Sequence, residues 1–217
     1  MGFFRGPNIV RDGLVLALDA ASSRSYLESG NTWFDLSGNG NNGTLVSSPL
    51  FSDGSLVFNG FDKRATLSSP FGQSNFTTTS IWYNRVEANS STTWRTLLGT
   101  FDTNFHHLIS QSSSRVLGVF DGSFRSFGYT PPIDGKFHNY TVIYQSATNA
   151  SLYVDGVFVS TIVIVLNLIT SPIGSIGNWK GGNYWAGNIS TTTIYNKALT
   201  SQEIKQNYNA QKSRFGL

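Results

Sequence analysis

The pair Asp155-Gly156 is the sequence feature that most constrains how this chain can fold. It separates two apolar runs that alternate as β-strands do, Leu152–Val154 and Val157–Val159. Both central residues of a type I′ turn need positive φ angles, and Asp-Gly adopts them readily. The pair therefore predicts a β-hairpin with a two-residue loop, and that loop sets the register. The predicted cross-strand pairs are Val154 with Val157, Tyr153 with Phe158, and Leu152 with Val159.

A third strand is predicted just upstream of this hairpin. Tyr140, Val142 and Tyr144 alternate with Thr141 and Ile143, and a polar turn, 145–150, then leads into the hairpin. Such alternation is typical of strands with one face toward a core. The segment therefore predicts a meander of three antiparallel strands.

The same stretch carries a family resemblance. Asp134-Gly-Lys-Phe-His138, followed after a strand and a polar turn by Leu152-Tyr-Val-Asp-Gly-Val157, resembles the signature of laminin-G-like, concanavalin A-like jelly-roll domains. The resemblance implies two packed antiparallel sheets. That superfamily includes lectins, glycosidases, adhesion modules and virion proteins, so the fold alone implies no single function.

Other apolar runs extend the predicted β structure along the chain. Further strands are predicted at Gly13–Asp19, Ser55–Gly60, Phe76–Val86, Trp94–Phe101, Phe105–Ser110, Arg115–Phe120, Ser123–Tyr129, Pro172–Gly177 and Gly187–Tyr195. A second tight hairpin is predicted at Asp121-Gly122. With the resemblance, the prediction is an all-β, two-sheet antiparallel jelly-roll sandwich forming one domain, 13–217, behind an N-terminal arm, 1–12.

One short C-terminal helix completes the prediction. Thr200-Ser-Gln-Glu203 has the pattern of a capping box, in which the Thr200 hydroxyl and the Glu203 carboxylate each accept a backbone N–H. Leu199 and Ile204 fit a hydrophobic staple across the cap, and Ile204 and Tyr208 fit a buried stripe. The helix is therefore predicted to begin just after Thr200 and to pack one face on a sheet.

Three segments resemble structural proteins of tailed phages, particularly those of cyanobacteria. They are Asp12–Ala20, the Trp/Asn/Gly-rich Thr32–Leu45 and the closing segment Ile194–Leu217. The resemblance implies a non-enzymatic virion protein, as capsid decoration or cement, head fibre or tail appendage, that acts by protein–protein docking. Its implied location is the virion, its implied partners are other virion proteins, and it is expected to form a homo-oligomer.

Charge and hydropathy limit the classes of partner that the chain is expected to bind. The formal net charge is +3 and the 15 basic residues form no run, which argues against nucleic-acid binding. The longest apolar run, Val157–Ile169, is interrupted by polar residues and is too short to span a bilayer, so no membrane partner is expected. Only 12% of residues are charged, so much of the surface is expected to be uncharged and polar.

Catalytic and metal sites find little support in the sequence. The three glutamates, Glu28, Glu87 and Glu203, have no carboxylate at i+2 or i+4, which excludes the paired motif of jelly-roll retaining glucanases; an inverting pair of distant Asp residues stays open. His106 and His107 are adjacent and would face opposite ways on a strand. No catalytic residue, metal or cofactor is predicted.

Two further oxygen-rich segments are not predicted to bind a metal ion. Asp35–Asn41 has the glycine and asparagine content of a built turn. Where the resembled family continues Asp-Gly-x-Asp-Asp-Tyr, this chain has Asn59-Gly-Phe-Asp-Lys-Arg64, so Lys63 replaces one carboxylate. Since Ca²⁺ prefers several charged oxygens, a calcium site is not predicted at this corner.

The aromatic loop 178–185 supports the alternative function, a carbohydrate-binding module for attachment to host-surface glycans. An aromatic face with nearby amide and ammonium donors can hold a sugar ring. The predicted site residues are Trp179, Lys180, Asn183 and Tyr184, with the Trp94 region as a further candidate. The competing structural interpretation is that Trp185 fills the core and Trp179 caps its rim.

Overall fold

A computed structural model describes residues 8–71, 77–86, 93–100, 104–165 and 172–217. Within these ranges, two antiparallel eight-stranded sheets pack face to face, and a short helix follows the last strand. The predicted all-β sandwich with one short C-terminal helix is confirmed. Most of the predicted N-terminal arm, the predicted strand ends at Phe76 and Phe101, and Glu87 lie outside the described residues. No helix in the described ranges is long and apolar enough to cross a membrane.

The first sheet, sheet A, contains the predicted meander. Its strand order is β14-β13-β12-β7-β16-β5-β4, and β1 also pairs with β16. The strand bounds are β1 Leu14–Asp19, β4 Leu50–Ser52, β5 Ser55–Asn59, β7 Thr77–Arg85, β12 His138–Ser146, β13 Asn149–Val154, β14 Val157–Val163 and β16 Ala186–Tyr195.

The second sheet, sheet B, has the strand order β11-β10-β9-β8-β15-β6-β3-β2. Its strands are β2 Thr32–Trp33, β3 Gly43–Val46, β6 Arg64–Phe71, β8 Arg95–Thr100, β9 His106–Ser110, β10 Leu117–Phe120, β11 Phe124–Tyr129 and β15 Ile173–Ile176. The sequence did not predict β2, β3, β4 or β6. Three of these have only two to four residues, too few to show a clear alternation.

The Asp155-Gly156 hairpin forms as predicted, with one correction to its register. Asp155 and Gly156 have φ angles of 51° and 77°, and Val154 lies opposite Val157. The predicted pairing of Leu152 with Val159 is wrong, because the register shifts between Tyr153 and Leu152 and Leu152 lies opposite Ser160. A bulge inserts one residue into a strand and advances the pairing by one.

The core between the sheets is apolar and aromatic. The largest side chains less than 2% exposed include Trp33, Trp185, Tyr83 and Tyr140. The Tyr83 and Tyr140 rings stack with centroids 4.2 Å apart, and Trp185 meets Tyr83 edge-on at 4.7 Å. Aromatic pairs of this geometry stabilise a core beyond their buried area. The interpretation that Trp185 is a core residue is confirmed.

The outer face of sheet A is covered by the C-terminal helix α1, Ser201–Gln211, and the 3₁₀ helix Lys212–Phe215. The capping box is confirmed: Glu203 N donates to Thr200 Oγ1 at 3.2 Å, and Thr200 N donates to Glu203 Oε2 at 2.8 Å. Trp82 of β7 is 1% exposed, and its ring stacks on Tyr208 at 5.5 Å and on Phe215 at 4.3 Å. The helix pair is therefore held down by aromatic packing.

The described part of the N-terminal arm, residues 8–12, also packs on α1. Val10 N donates to Asn207 Oδ1 at 2.7 Å, and Tyr195 Oη donates to Val10 O at 3.1 Å. Gln206 Nε2 donates to Asn8 O at 2.8 Å. Val10 belongs to a second apolar cluster with Leu14, Ala17, Ile143, Tyr195, Leu199 and Ile204. This cluster explains why β1 is apolar on both faces; the domain boundary at residue 13 stays a prediction.

Candidate functional site

The outer face of sheet B carries a continuous row of aligned residues that no helix covers within the described chain. Each member lies opposite the next on the neighbouring strand. From β3 to β11 the row reads Thr44, Thr66, Ser175, Gly99, His106, Phe120 and Phe124. Strand pairing places such residues side by side on one face. The row therefore changes from hydroxyls at one end to aromatic rings at the other.

The loop 178–183 rests on this row at Gly99. A Cβ atom at Gly99 would lie 2.6 Å from Asn178 O and 2.7 Å from Ser175 Oγ. Ser175 Oγ donates a hydrogen bond to the same carbonyl at 2.6 Å. The missing side chain at residue 99 is thus what lets the loop backbone approach the sheet.

Within the loop, Trp179 and Gly182 exchange two backbone hydrogen bonds around a tight turn. Trp179 N donates to Gly182 O at 3.0 Å, and Gly182 N donates to Trp179 O at 2.7 Å. The central residues Lys180 and Gly181 have φ angles of 42° and 76°, as a type I′ turn requires. Thr96 N of β8 donates to Asn183 O at 2.7 Å, which fixes the far end of the loop.

On one side of the loop lies an aromatic cavity of about 200 Å³. It is lined by Trp94, Asn104, His106, Ile109, Phe120, Trp179 and Asn183. The rings meet edge to face: Trp94 and Phe124 at 5.1 Å, His106 and Phe120 at 5.7 Å, and His106 and Trp179 at 5.3 Å between centroids. This aromatic cavity therefore combines apolar ring surface with two carboxamides.

His106 forms the floor of the aromatic cavity and is 2% exposed. Its Nδ1 lies 2.9 Å from Thr96 Oγ1, and its Nε2 lies 3.3 Å from Asn104 Oδ1. Burial, with the neighbouring His107, lowers the pKa of His106 to about 4. The ring is therefore neutral near pH 7, with Nε2–H donating to the Asn104 carbonyl and Nδ1 accepting from Thr96.

On the other side of the loop lies a polar cavity of about 400 Å³. Its described lining residues are Arg64, Thr66, Thr100, Gly174, Ser175, Asn178, Lys180 and Gly181. They supply a guanidinium, an ammonium and three hydroxyl groups. The Lys180 ammonium also lies 5.9 Å from the Trp179 ring centroid, so it stands at the boundary between the polar and aromatic cavities.

Arg95 holds the two sides of this site together. Its Nη1 donates to Gly60 O at 2.8 Å and to Tyr184 O at 2.7 Å. Gly60 lies in the turn before Arg64, and Tyr184 lies near the end of the aromatic loop 178–185. One guanidinium therefore connects the turn that precedes Arg64 to the loop that carries Trp179.

The four predicted site residues separate by location. Trp179 and Asn183 line the aromatic cavity, Lys180 lines the polar cavity, and Tyr184 is half-buried and lines neither. Trp94, noted from its aromatic character, joins the aromatic cavity. Sequence reasoning missed Arg64, Gly99 and His106 as site residues, because only the strand pairing brings them under the loop. Which residues contact a ligand stays a prediction.

His107 and the oxygen-rich turn Asp35–Asn41 have structural roles. His107 faces the interior, with Nδ1 3.1 Å from Tyr144 Oη, and so points away from His106 as predicted. The Asp35 carboxylate accepts backbone N–H groups from Ala17 at 2.8 Å and from Asn41 at 3.0 Å. The described residues contain no cluster of three or more His, Cys, Asp or Glu suited to a metal ion.

At the corner where Lys63 replaces an expected carboxylate, the ammonium contacts backbone oxygens. Lys63 Nζ donates to Ser47 O at 2.9 Å and to Ser48 O at 2.5 Å. Both serines have positive φ angles, 60° and 46°. The protein's own side chain thus supplies the positive charge that faces these carbonyl groups.

Sequence comparison identifies one family. The profile of the Laminin_G_3 family, described as the concanavalin A-like lectin/glucanases superfamily, matches residues 58–205. No curated protein sequence matches the chain at a significant level.

Several solved structures share the fold at low sequence identity. Domain 4 of AbnA, an extracellular arabinanase from Geobacillus stearothermophilus solved with arabinotriose, has a TM-score of 0.69 and 18% identity, covering 90% of this chain and 98% of that domain. Trypanosoma rangeli sialidase has a TM-score of 0.68 and 17% identity, covering 93% of this chain and 33% of the sialidase. A botulinum neurotoxin type C structure, described as depending on two ganglioside molecules for cell entry, has a TM-score of 0.69 and 14% identity, covering 93% and 52%.

Proposed function

The chain belongs to the concanavalin A-like lectin/glucanases superfamily, and we propose that it is a carbohydrate-binding module without hydrolytic activity. The observation that carries the proposal is the aromatic cavity on the outer face of sheet B. Trp94, Phe120 and Trp179 supply apolar ring surface, and Asn104 and Asn183 supply amide groups. Sugar rings bind by apolar contact together with a few placed polar groups.

The size of the aromatic cavity suits a small ligand. Its volume of about 200 Å³ lies below the ~300–1,000 Å³ of pockets that enclose drug-sized molecules. A single sugar ring at the end of a glycan, or one ring of a longer chain that continues over the sheet, fits this description. The neutral His106 supports Asn104 from below and needs no counter-ion.

Binding without hydrolysis is proposed because of the side chains that line the two cavities beside the loop 178–183. The described residues that line the aromatic and polar cavities include no Asp or Glu. Glycoside hydrolysis commonly needs two carboxyl groups flanking the scissile bond. The arabinanase domain and the sialidase share only the fold with this chain, so their substrates are not assigned to it.

The test is a glycan array followed by titration calorimetry on the best ligand. Trp179→Ala and Trp94→Ala should each weaken binding by about tenfold, because each removes an aromatic contact worth about 1.4 kcal/mol. Phe158→Ala is the matched control: Phe158 is an aromatic residue, 53% exposed, on sheet A. Equal losses from Phe158→Ala and Trp179→Ala, or no ligand on a broad array, would contradict the proposal.

A second candidate is the virion subunit implied by the phage resemblance, located in the virion and docking to another virion protein. The observation that favours it is the apolar surface along β14 and just beyond it. Val157, Phe158, Val163 and Val165 are each 53–67% exposed. Contiguous exposed apolar side chains are typical of protein-contact surfaces.

Phage particles assembled with substituted subunits separate the two candidates. Val163→Ser with Phe158→Ser should abolish incorporation if β14 is the docking surface, while Trp179→Ala should leave incorporation unchanged. The reverse pattern, normal incorporation with lost adsorption for Trp179→Ala, favours the glycan-binding function. The solution mass of the purified chain tests the expected homo-oligomer.

A further inference from the structure

We propose that the sugar bound in the aromatic cavity carries an acetamido substituent, as an N-acetylhexosamine does, and that Asn104 and Asn183 recognise this group. The inference rests on the proposed carbohydrate-binding function and specifies its ligand class. The starting observation is that the described lining of this cavity combines aromatic rings with two carboxamides and includes no Asp, Glu, Lys or Arg. A neutral amide that ends in a methyl group matches both kinds of surface.

The carboxamide of Asn104 is oriented by His106. Asn104 Oδ1 accepts from His106 Nε2 at 3.3 Å, so the carboxamide has its oxygen on the cavity floor and its Nδ2 group pointing elsewhere. Within the described chain, neither Nδ2 hydrogen has an acceptor. Asn104 therefore acts toward a ligand as a hydrogen-bond donor, which suits a carbonyl oxygen.

Asn183 presents a complete carboxamide to the same cavity. Its side chain has no hydrogen-bond partner among the residues that the structure describes. Its backbone is held in place, because Thr96 N donates to Asn183 O at 2.7 Å. The φ angle of 50° lies in the left-handed region, which Asn tolerates better than most residues. Asn183 thus offers both an acceptor and donors from a fixed position.

The two carboxamide residues stand at the ends of one hydrogen-bonded chain across the cavity floor. Thr96 bonds to Asn183 through its backbone N–H and to His106 through its hydroxyl. His106 in turn bonds to Asn104. A trans amide directs its C=O and its N–H in opposite directions, so an acetamido group needs two separate partners. Asn104 Nδ2 donates to the acetamido C=O in this arrangement, and Asn183 Oδ1 accepts from its N–H.

The rest of the lining favours an acetamido group over a hydroxyl group or a free amine. Trp94, Ile109 and Phe120 supply apolar surface for the methyl group, which a hydroxyl group lacks. A hydroxyl group is also too short to reach both carboxamides, so one of them would lose water without gaining a partner. An ammonium group would find no carboxylate in the described lining, and it would approach the Lys180 ammonium, which lies 5.9 Å from the Trp179 ring centroid.

The experiment measures two matched pairs of neutral probes by titration calorimetry. The pairs are triacetylchitotriose with cellotriose, and N-acetylgalactosamine with galactose; within each pair an acetamido group replaces one hydroxyl group per ring. The acetylated member of at least one pair should bind about tenfold more tightly, because it gains two hydrogen bonds and the methyl contact. Deacetylated chitotriose, which carries free amines, should bind no more tightly than cellotriose.

Substituting the two carboxamides should reduce this preference. Asn104→Asp keeps an acceptor for His106 and removes the N–H donors, and Asn183→Gly removes the side chain at a φ angle that glycine adopts freely. Each variant should lower the ratio of the two affinities, acetylated over hydroxyl probe, by about fivefold. Asn209→Asp, which makes the same change on α1, is the matched control and should leave the ratio unchanged. Thermal unfolding establishes that each variant folds.

The outcomes separate this inference from the proposed function. Equal affinities within both pairs, tighter binding of deacetylated chitotriose, or a ratio that Asn104→Asp and Asn183→Gly leave intact overturns the acetamido inference. So does a glycan array on which every bound glycan lacks an acetamido group. Each of these results leaves the carbohydrate-binding function standing. If both pairs and a broad array give no binding, the proposed function fails as well.

Discussion

The outer faces of the two sheets both carry Ser and Thr side chains, but α1 covers that of sheet A and no helix of the described chain covers that of sheet B. On sheet A, polar side chains bond to one another: Asn139 Nδ2 and Thr141 Oγ1 each donate to Ser80 Oγ at 2.9 Å, and all three are buried. On sheet B, Ser175 is likewise held by the loop 178–183, since its hydroxyl donates to Asn178 O at 2.6 Å, whereas Thr66 is half-buried and lines an open cavity. The difference teaches that a Ser/Thr-rich strand face is structural where another element covers it and available to a ligand where none does.

Removing an aromatic ring should cost much more stability on the outer face of sheet A than on that of sheet B. Trp82→Ala is expected to lower the free energy of unfolding by about 3–5 kcal/mol, because Trp82 is fully buried between sheet A and the rings of Tyr208 and Phe215. Trp94→Ala, on sheet B, should cost less than about 1 kcal/mol, since the half-buried ring leaves no closed cavity. Urea unfolding of both variants measures the contrast, and equal losses would contradict it.

Lowering the pH should reduce the free energy of unfolding through His106 on sheet B and increase it through His138 on sheet A. His106 has a pKa of about 4 against an ordinary 6.5, so the unfolded chain takes up its proton first and stability falls between these values. The loss is about 3 kcal/mol at most. Burial alone lowers the pKa of His138, but its hydrogen bonds to Asp155 at 2.7 Å and Asp134 at 3.2 Å outweigh burial and raise it. Its contribution is therefore complete below the unfolded pKa and is lost as the pH rises through the folded pKa.

Urea unfolding at pH 7, 6 and 5 tests these opposite signs. The variant His106→Gln should flatten the acid loss, and His138→Gln should steepen it, because each removes one of the two linkages. Carboxylates with lowered pKa, such as Asp134 and Glu203, lose their stabilising contribution mainly below this pH range. An acid loss that survives in His106→Gln would show that another group controls it.

Filling the space at Gly99 should break the site without disturbing sheet A. In Gly99→Ala the new methyl group meets Asn178 O and Ser175 Oγ at 2.6–2.7 Å, so the loop 178–183 has to move. We expect a loss of about 1–3 kcal/mol in stability, together with weaker glycan binding. Gly43→Ala, on the same sheet, is the control, because the closest contact of its Cβ is an ordinary 3.5 Å. Unchanged binding in Gly99→Ala would disconnect the loop from the site.

Weakening the N-terminal cap of α1 should cause only a small loss of stability and leave the sheet B site unaffected. Thr200→Ala removes the acceptor for Glu203 N and is expected to cost about 1 kcal/mol. Glycan affinity should stay unchanged, because the helix lies on the sheet opposite the aromatic cavity. Ser201→Ala, at the next position, is the control in thermal unfolding. Reduced affinity in Thr200→Ala would indicate coupling between the two faces.

Local patterns in the sequence predicted the parts of the fold that local chemistry decides. The turn at Asp155-Gly156, the capping box at Thr200 and long strands such as β12 and β16 formed as expected, since each depends on neighbouring residues and backbone geometry, whereas the eight-residue β6 was missed. The bulge that moved Leu152 opposite Ser160 was not predictable, because both registers satisfy the same turn. The shortest strands were missed for lack of a measurable alternation.

The sequence by itself determined the fold class, the central hairpin and the aromatic loop as a candidate site. Only the tertiary structure decided which faces are closed and which residues meet. Trp82 and Trp94 look alike in sequence, yet one lies under the C-terminal helix and the other lines a cavity. Arg64, Gly99 and Lys180 come together because strands far apart in the chain pair side by side. Cross-strand neighbours depend on long-range pairing, which no local pattern encodes.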